Sequence, residues 1–249
     1  MMKRCFLAIC VVSLFNIQLR AQNLRIAAAA NLQSVITALQ ADFKSRTGVT
    51  AEIITGSSGK LVAQISNGAP YDVFLSADMH FPGILYDNGL STDKPAVYAI
   101  GSLIICSAKK AIPINWPDML LEPGLTKIAI ANSIIAPYGK AAEQALDAAR
   151  ILENVKNKLV YGESISQVNT YITTGVVDAG FTAQSLLYDD GLKTKLYWQP
   201  VNPKTYQPIK QGVVILKRAE HNAAAKKFYQ YLFSPGAKRI FKKYGYKNV

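Results

Sequence analysis

Apolar and polar positions in this chain of 249 residues switch between two spacings. Short apolar runs bounded by turn residues read as strands at 24–30, 49–55, 71–77, 127–132 and 177–183. Between them apolar side chains recur every three or four positions, the spacing of a helix with one face on a core. Leu32, Val35, Ile36, Leu39 and Phe43 form such a stripe over 32–46, and Gly48 stops it. Leu61, Val62 and Ile65 carry a second helix to Gly68. Asp78 is placed to cap a third that holds Phe81, Ile84 and Leu85. A loop and short helix are expected at 113–120, and a strand and turn at 157–164. Helices are expected from near Tyr138 to 152 and over 165–174, 222–233 and 236–243.

Repeated strand–helix units imply largely parallel sheets covered on both faces. Two stretches break the rhythm: 97–108 and 207–217 are long apolar runs without a period, as in buried strands or crossings between lobes. A chain that leaves one lobe, builds another and returns has two crossings with a cleft between. The expectation is a two-lobed α/β protein, with lobe one at 22–100 and 212–249 and lobe two at 101–211.

Composition changes this picture at the N-terminus only. Half the residues are apolar and 18% are charged, an ordinary globular balance. Met1-Met2-Lys3-Arg4 is followed by the almost wholly apolar Cys5–Phe15 and then Leu19-Arg20-Ala21, the layout of a secretory signal cleaved after Ala21. The apolar stretch is too short to be a membrane anchor. Removing residues 1–21 takes away three cations and no acid, so the formal charge falls from +12 to +9. A basic chain suggests nucleic acid, but export argues against it. The Lys238–Lys243 cluster, at helical spacing around Ile240 and Phe241, reads as a solvated helix face. Export also leaves Cys106 as the lone cysteine, in a run that reads as a buried strand.

Motifs for catalysis fail in turn. His80 and His221 have no cysteine or carboxylate at metal-ligand spacing. The stretch GSSGKL at 56–61 lacks the length before Lys60 and the hydroxyl after it that a phosphate loop needs. Nor is Ser58 framed as a nucleophile elbow. What recurs is a strand that ends in small or hydroxyl residues and runs into a helix. This happens at Ala30-Asn31, Ser57-Ser58-Gly59, Pro137-Tyr138-Gly139 and Ser164-Ile165. A helix start carries unpaired N–H groups and partial positive charge. Four of them, two from each lobe, facing one cleft would hold a small anion without a lysine or arginine. Parallel α/β proteins of any function share such turns, so topology by itself leaves the site open.

Longer stretches are more specific. IAAAANL (26–32), GSSGKLVAQISNGAPYDVFLSAD (56–78), PYGKAAEQAL (137–146), DAGFTAQS (178–185) and FYQYLFSPGAKRIFKKYGY (228–246) resemble the periplasmic molybdate-binding proteins, the solute receptors of molybdate ABC importers. The resemblance covers nearly all of the chain after residue 21. It implies the type II periplasmic-binding-protein fold, closing on its ligand by a hinge. It also implies an oxyanion pocket at Asn31, Ser58, Tyr138 and Ile165. Asn31 would donate its N–H and side-chain amide, Ser58 its hydroxyl and N–H, and Tyr138 and Ile165 their N–H groups. Some relatives place a tyrosine hydroxyl on the anion where this chain has Ala183, and the Asn31 amide is expected to compensate.

The implied protein is a monomeric periplasmic receptor for molybdate and tungstate that delivers to an ABC permease. It is not an enzyme, uses no cofactor, and touches molybdenum only through the oxygens of the oxyanion. A receptor for sulfate or another tetrahedral oxyanion remains a competing reading, and an exported hydrolase using Ser58 a minor one.

Overall fold

The structure, a computed structural model, describes residues 24–249; the expected signal segment lies outside them. The chain opens with β1 (Leu24–Ala29), a 3-10 turn over Ala30–Leu32, α1 (Gln33–Thr47), β2 (Ala51–Gly56) and α2 (Ser58–Ser66). It continues through β3 (Val73–Leu75), α3 (His80–Asp87) and β4 (Ala96–Gly101). Next come β5 (Leu103–Ser107), α4 (Trp116–Leu121), β6 (Ile128–Ala131), α5 (Pro137–Ala148) and α6 (Leu152–Val155). Then follow β7 (Leu159–Gly162), α7 (Ile165–Thr173), β8 (Ala179–Ala183) and β9 (Tyr197–Pro200). The chain returns through β10 (Ile209–Ile215) and ends with α8 (Ala223–Leu232) and α9 (Pro235–Lys243).

Two five-stranded sheets result, ordered β2-β1-β3-β10-β4 and β7-β6-β8-β5-β9. In the first, β1 runs parallel to β2 and β3, and β10 is antiparallel to β3 and β4. The second repeats the scheme, with β6 parallel to β7 and β8, and β5 antiparallel to β8 and β9. This is the two-lobed α/β architecture. Its cores are separate: Val35, Leu39 and Phe43 of α1 pack on the first sheet and meet α8, with the Phe43 and Phe228 rings 5.1 Å apart. Each side chain of that size contributes about 1.5–3 kcal/mol by leaving water. Cys106 sits in the second core, where burial pushes its thiol up to about 12. Among the described residues no helix is long and apolar enough to cross a membrane.

Four local readings needed correction. The apolar run 97–108 is two strands in different sheets, broken at Ser102, because a chain that crosses between lobes is largely buried on both sides of the crossing. Residues 209–211, expected in lobe two, pair with β4 in the first sheet. Gly212, where the lobe boundary was expected, is instead inside the strand at a register shift between Gln211 and Gly212, a frequent place for glycine. The helix expected to reach 152 stops at Ala148, and Arg150 takes a left-handed φ of 59° before α6. Strand β9 was not foreseen: its four residues Tyr197–Pro200 are mostly exposed and end in proline.

Candidate functional site

Each of the four turns singled out in the sequence follows a strand of one of the two sheets. β1 runs into the 3-10 turn that holds Asn31, and β2 into α2 at Ser58. In the second lobe, Pro137-Tyr138 opens α5 and Ile165 opens α7. All four residues line one small cavity, together with Ser57, Ala77, Ala136 and neighbours. Among the described residues none with a charge lines it.

The backbone donors at these helix starts can be followed one at a time. In α2 the Gly59 N–H donates to the Ile135 carbonyl at 2.9 Å and the Leu61 N–H to that of Ser57 at 3.0 Å. Among the described residues no acceptor faces the Ser58 N–H. In α5 proline has no N–H, and those of Gly139 and Lys140 both donate to the Ala136 carbonyl. Tyr138 is left over. In α7 the Ser164 hydroxyl accepts from Gln167 N–H, and Gln167 Oε1 accepts from Glu163 N–H, which leaves Ile165. The caps thus satisfy several neighbours and spare the donors that border the cavity.

Side chains add to these donors. Ser58 Oγ accepts from the Ala77 N–H at 3.1 Å, so its own proton is free to donate inward. His80 and His221 are not among the cavity residues, and Ser58 has an amide beside it rather than a base. Ser57, which sequence reasoning passed over, is the N-cap residue of α2 with a buried hydroxyl that caps nothing. Among the described residues four buried side-chain polar atoms lack a partner: Asn31 Oδ1, Ser57 Oγ, and the hydroxyls of Tyr138 and Tyr231. The first three belong to residues around this one cavity. Buried polar atoms are almost always bonded, so the unused Ser57 hydroxyl at the head of α2 points to a polar guest.

Asn31 is held differently from the expectation. Its Nδ2 donates to Gln211 Oε1 at 2.9 Å and to the Tyr246 oxygen at 3.0 Å, so both amide hydrogens are spent inside the protein. Its carbonyl accepts from the Tyr246 hydroxyl and from Ser185 Oγ, each at 2.8 Å. What Asn31 offers the cavity as a donor is its backbone N–H; the side chain does not stand in for the tyrosine missing at Ala183. Ala183 itself closes β8 as a buried residue of the second core. Gln211, Tyr246 and Ser185 lie 180, 215 and 154 residues from Asn31, and no periodicity joins them.

The two lobes are shut over the cavity. Besides the Gly59–Ile135 bond, Lys60 pairs with Glu163 at 2.7 Å, Ser34 Oγ donates to Asp189 at 2.7 Å, and Ser166 Oγ donates to Gln33. Glycine is required at residue 59, since a Cβ there would lie 2.9 Å from that of Ile135. At residue 101, where β4 hands over to the crossing, a Cβ would lie 2.1 Å from the Tyr138 oxygen. The Tyr138 ring, from lobe two, is therefore seated directly against the strand that leaves lobe one.

A family model described as bacterial extracellular solute-binding protein matches residues 24–247. The chain belongs to that family. This solute-binding protein is 36% identical over 228 residues to the molybdate-binding protein ModA of Azotobacter vinelandii, covering 91% of this chain and 90% of that one. With ModA of Rhodobacter capsulatus it shares 37% over 221 residues, 88% and 86% of the two chains. The solved periplasmic molybdate-binding protein of A. vinelandii superposes with a TM-score of 0.84 at 33% identity, covering 91% of this chain and all of that one. The sulfate-binding protein SubI of Mycobacterium tuberculosis reaches 0.79 at 16% identity, which shows a shared fold alone.

Proposed function

We propose that this protein captures molybdate, and the isosteric tungstate, in the cavity between its lobes and delivers it to the permease of an ABC importer. The observation that carries the reading is the charge-free cavity bordered by spare N–H groups from both lobes and by the Ser58 hydroxyl. A dianion taken from water gains charge-assisted hydrogen bonds from these donors. A protonated mimic leaves donors unpaired, at about 1–3 kcal/mol each. Neutral donors also let go: without a lysine or arginine in the wall, opening the hinge breaks no ion pair with the guest. The molybdate-binding names of the relatives support the choice of ligand, and the periplasmic relative supports the placement outside the cytoplasm.

On this reading the oxyanion is cargo and not a cofactor, the Ser58 hydroxyl is a donor and not a nucleophile, and the receptor works as a monomer. Calorimetric titration of the purified protein with molybdate, tungstate and sulfate tests it. Tight binding of the first two with weak sulfate heat is expected. Tight sulfate binding without molybdate heat overturns the assignment in favour of a different tetrahedral oxyanion.

A further inference from the structure

The seat of Asn31 is a 3-10 turn of three residues with no side-chain cap of its own. So short a turn has poor internal hydrogen-bond geometry and does not fix the direction of its N–H groups unaided. We infer that Gln211 and Tyr246 are positioning residues of the oxyanion site, acting through Asn31; the inference rests on the oxyanion reading above. Gln211 is fully buried on β10, and its Nε2 is committed to the carbonyls of Ile209 and Ala77 at 3.2 and 3.4 Å. Its Oε1 therefore faces Asn31 as an acceptor, and this decides which way the Asn31 amide is turned.

Tyr246 fixes the same residue from the other side. Its hydroxyl has a single hydrogen, which goes to the Asn31 carbonyl, so its oxygen is the acceptor for Asn31 Nδ2. Burial pushes this hydroxyl up to about 12, and it stays a donor throughout the neutral range. Ser185 adds a second donor to the Asn31 carbonyl from lobe two. Side chain and carbonyl are thus both held, in a residue that lines the cavity. The Tyr138 hydroxyl reaches this cluster too: burial raises its pKa well above the usual value, and the Asn31 amide beside it acts in the opposite direction.

A double-mutant cycle on molybdate affinity, read by titration calorimetry of the full protein, tests this. Gln211→Met should weaken molybdate about tenfold, the lower end of what partners that orient a binding group contribute. In an Asn31→Ala background the same substitution should cost nothing further, because the only group through which Gln211 acts is gone. Tyr246→Phe should weaken binding in both backgrounds, less in Asn31→Ala, since its hydroxyl also holds the carbonyl of residue 31. A purely structural role would lower the melting temperature and leave the affinity of the folded protein unchanged. Equal losses for Gln211→Met in the two backgrounds, or unchanged affinity in both single variants, overturn the proposal while the site reading stands. A parent protein that gives no molybdate heat removes both. If Gln211→Met does not fold, Tyr246→Phe decides alone: about tenfold weaker binding upholds the inference and unchanged binding defeats it.

Discussion

Replacing Ser58 by alanine separates what this hydroxyl does for the empty protein from what it does for the guest. Its oxygen accepts the Ala77 N–H at 3.1 Å, a contact within lobe one that hinge closure neither makes nor breaks. Losing that acceptor buries an amide without a partner and costs about 1 kcal/mol. In a chain of this size that lowers the melting temperature by roughly 2–4 °C. Because the amide is orphaned in both states, this loss cancels from the binding equilibrium. What remains is the hydroxyl proton donated to a charged oxygen, about 1.5–3 kcal/mol. The dissociation constant for molybdate should therefore rise roughly ten- to hundredfold. Calorimetric titration gives the second number and a thermal melt of unloaded protein the first. A melting shift with unchanged affinity would refute the reasoning, since it would leave Ser58 as a brace for Ala77 and place the anion elsewhere.

Three further outcomes follow from the same geometry. Gly59→Ala should raise or preserve the melting temperature of unloaded protein, as alanine favours α2 by about 1 kcal/mol. It should nonetheless weaken molybdate binding tenfold or more, because the added carbon meets Ile135 across the closed cleft at 2.9 Å. Lys60→Gln removes a half-exposed pair with Glu163. Such pairs contribute about 0.2–1 kcal/mol, so affinity should fall no more than about fivefold, through faster release, and the difference should vanish in molar salt. Asp178 is pushed up by burial, but bonds from Lys109 and from the N–H groups of Thr126 and Lys127 outweigh this and hold it at about 2. A folded value below the unfolded one, about 3.9, means its stabilisation is complete above pH 5 and lost as acid approaches pH 2. Urea unfolding at stepped pH should show Asp178→Asn with a flatter decline between pH 5 and 2 than the parent.

The sequence disclosed the parts of the site that are local. Small or hydroxyl residues at a strand end, followed at once by a helix, marked four turns; the family resemblance picked Asn31, Ser58, Tyr138 and Ile165 within them, and the structure brings all four to one cavity. Their convergence was readable because parallel strands put their following helix starts at the same edge of a sheet. The supports of Asn31 were not readable. Gln211 looked like one more residue of an apolar strand and Tyr246 like part of a basic tail, since contacts across 180 and 215 residues leave no spacing to detect. The side-chain amide of Asn31 was expected to face the guest in place of the tyrosine that relatives have where this chain has Ala183, and nothing near it in the chain showed that its hydrogens were taken. The break at Ser102 escaped notice because both sides of a crossing are equally apolar. Strand β9 escaped because an exposed edge has no buried face to impose alternation.

The hold of Tyr246 on Asn31 also sets an order of events. Lobe two is made from one unbroken stretch, whereas lobe one needs β10, α8 and the residues after α9. A polypeptide appearing from its N-terminus must carry Asn31 for more than two hundred residues before the tyrosine that fixes it exists. Ligand competence is therefore the last property the chain acquires, and an incomplete copy, shorn of a few terminal residues, would fold most of its mass and still lack a finished receptor.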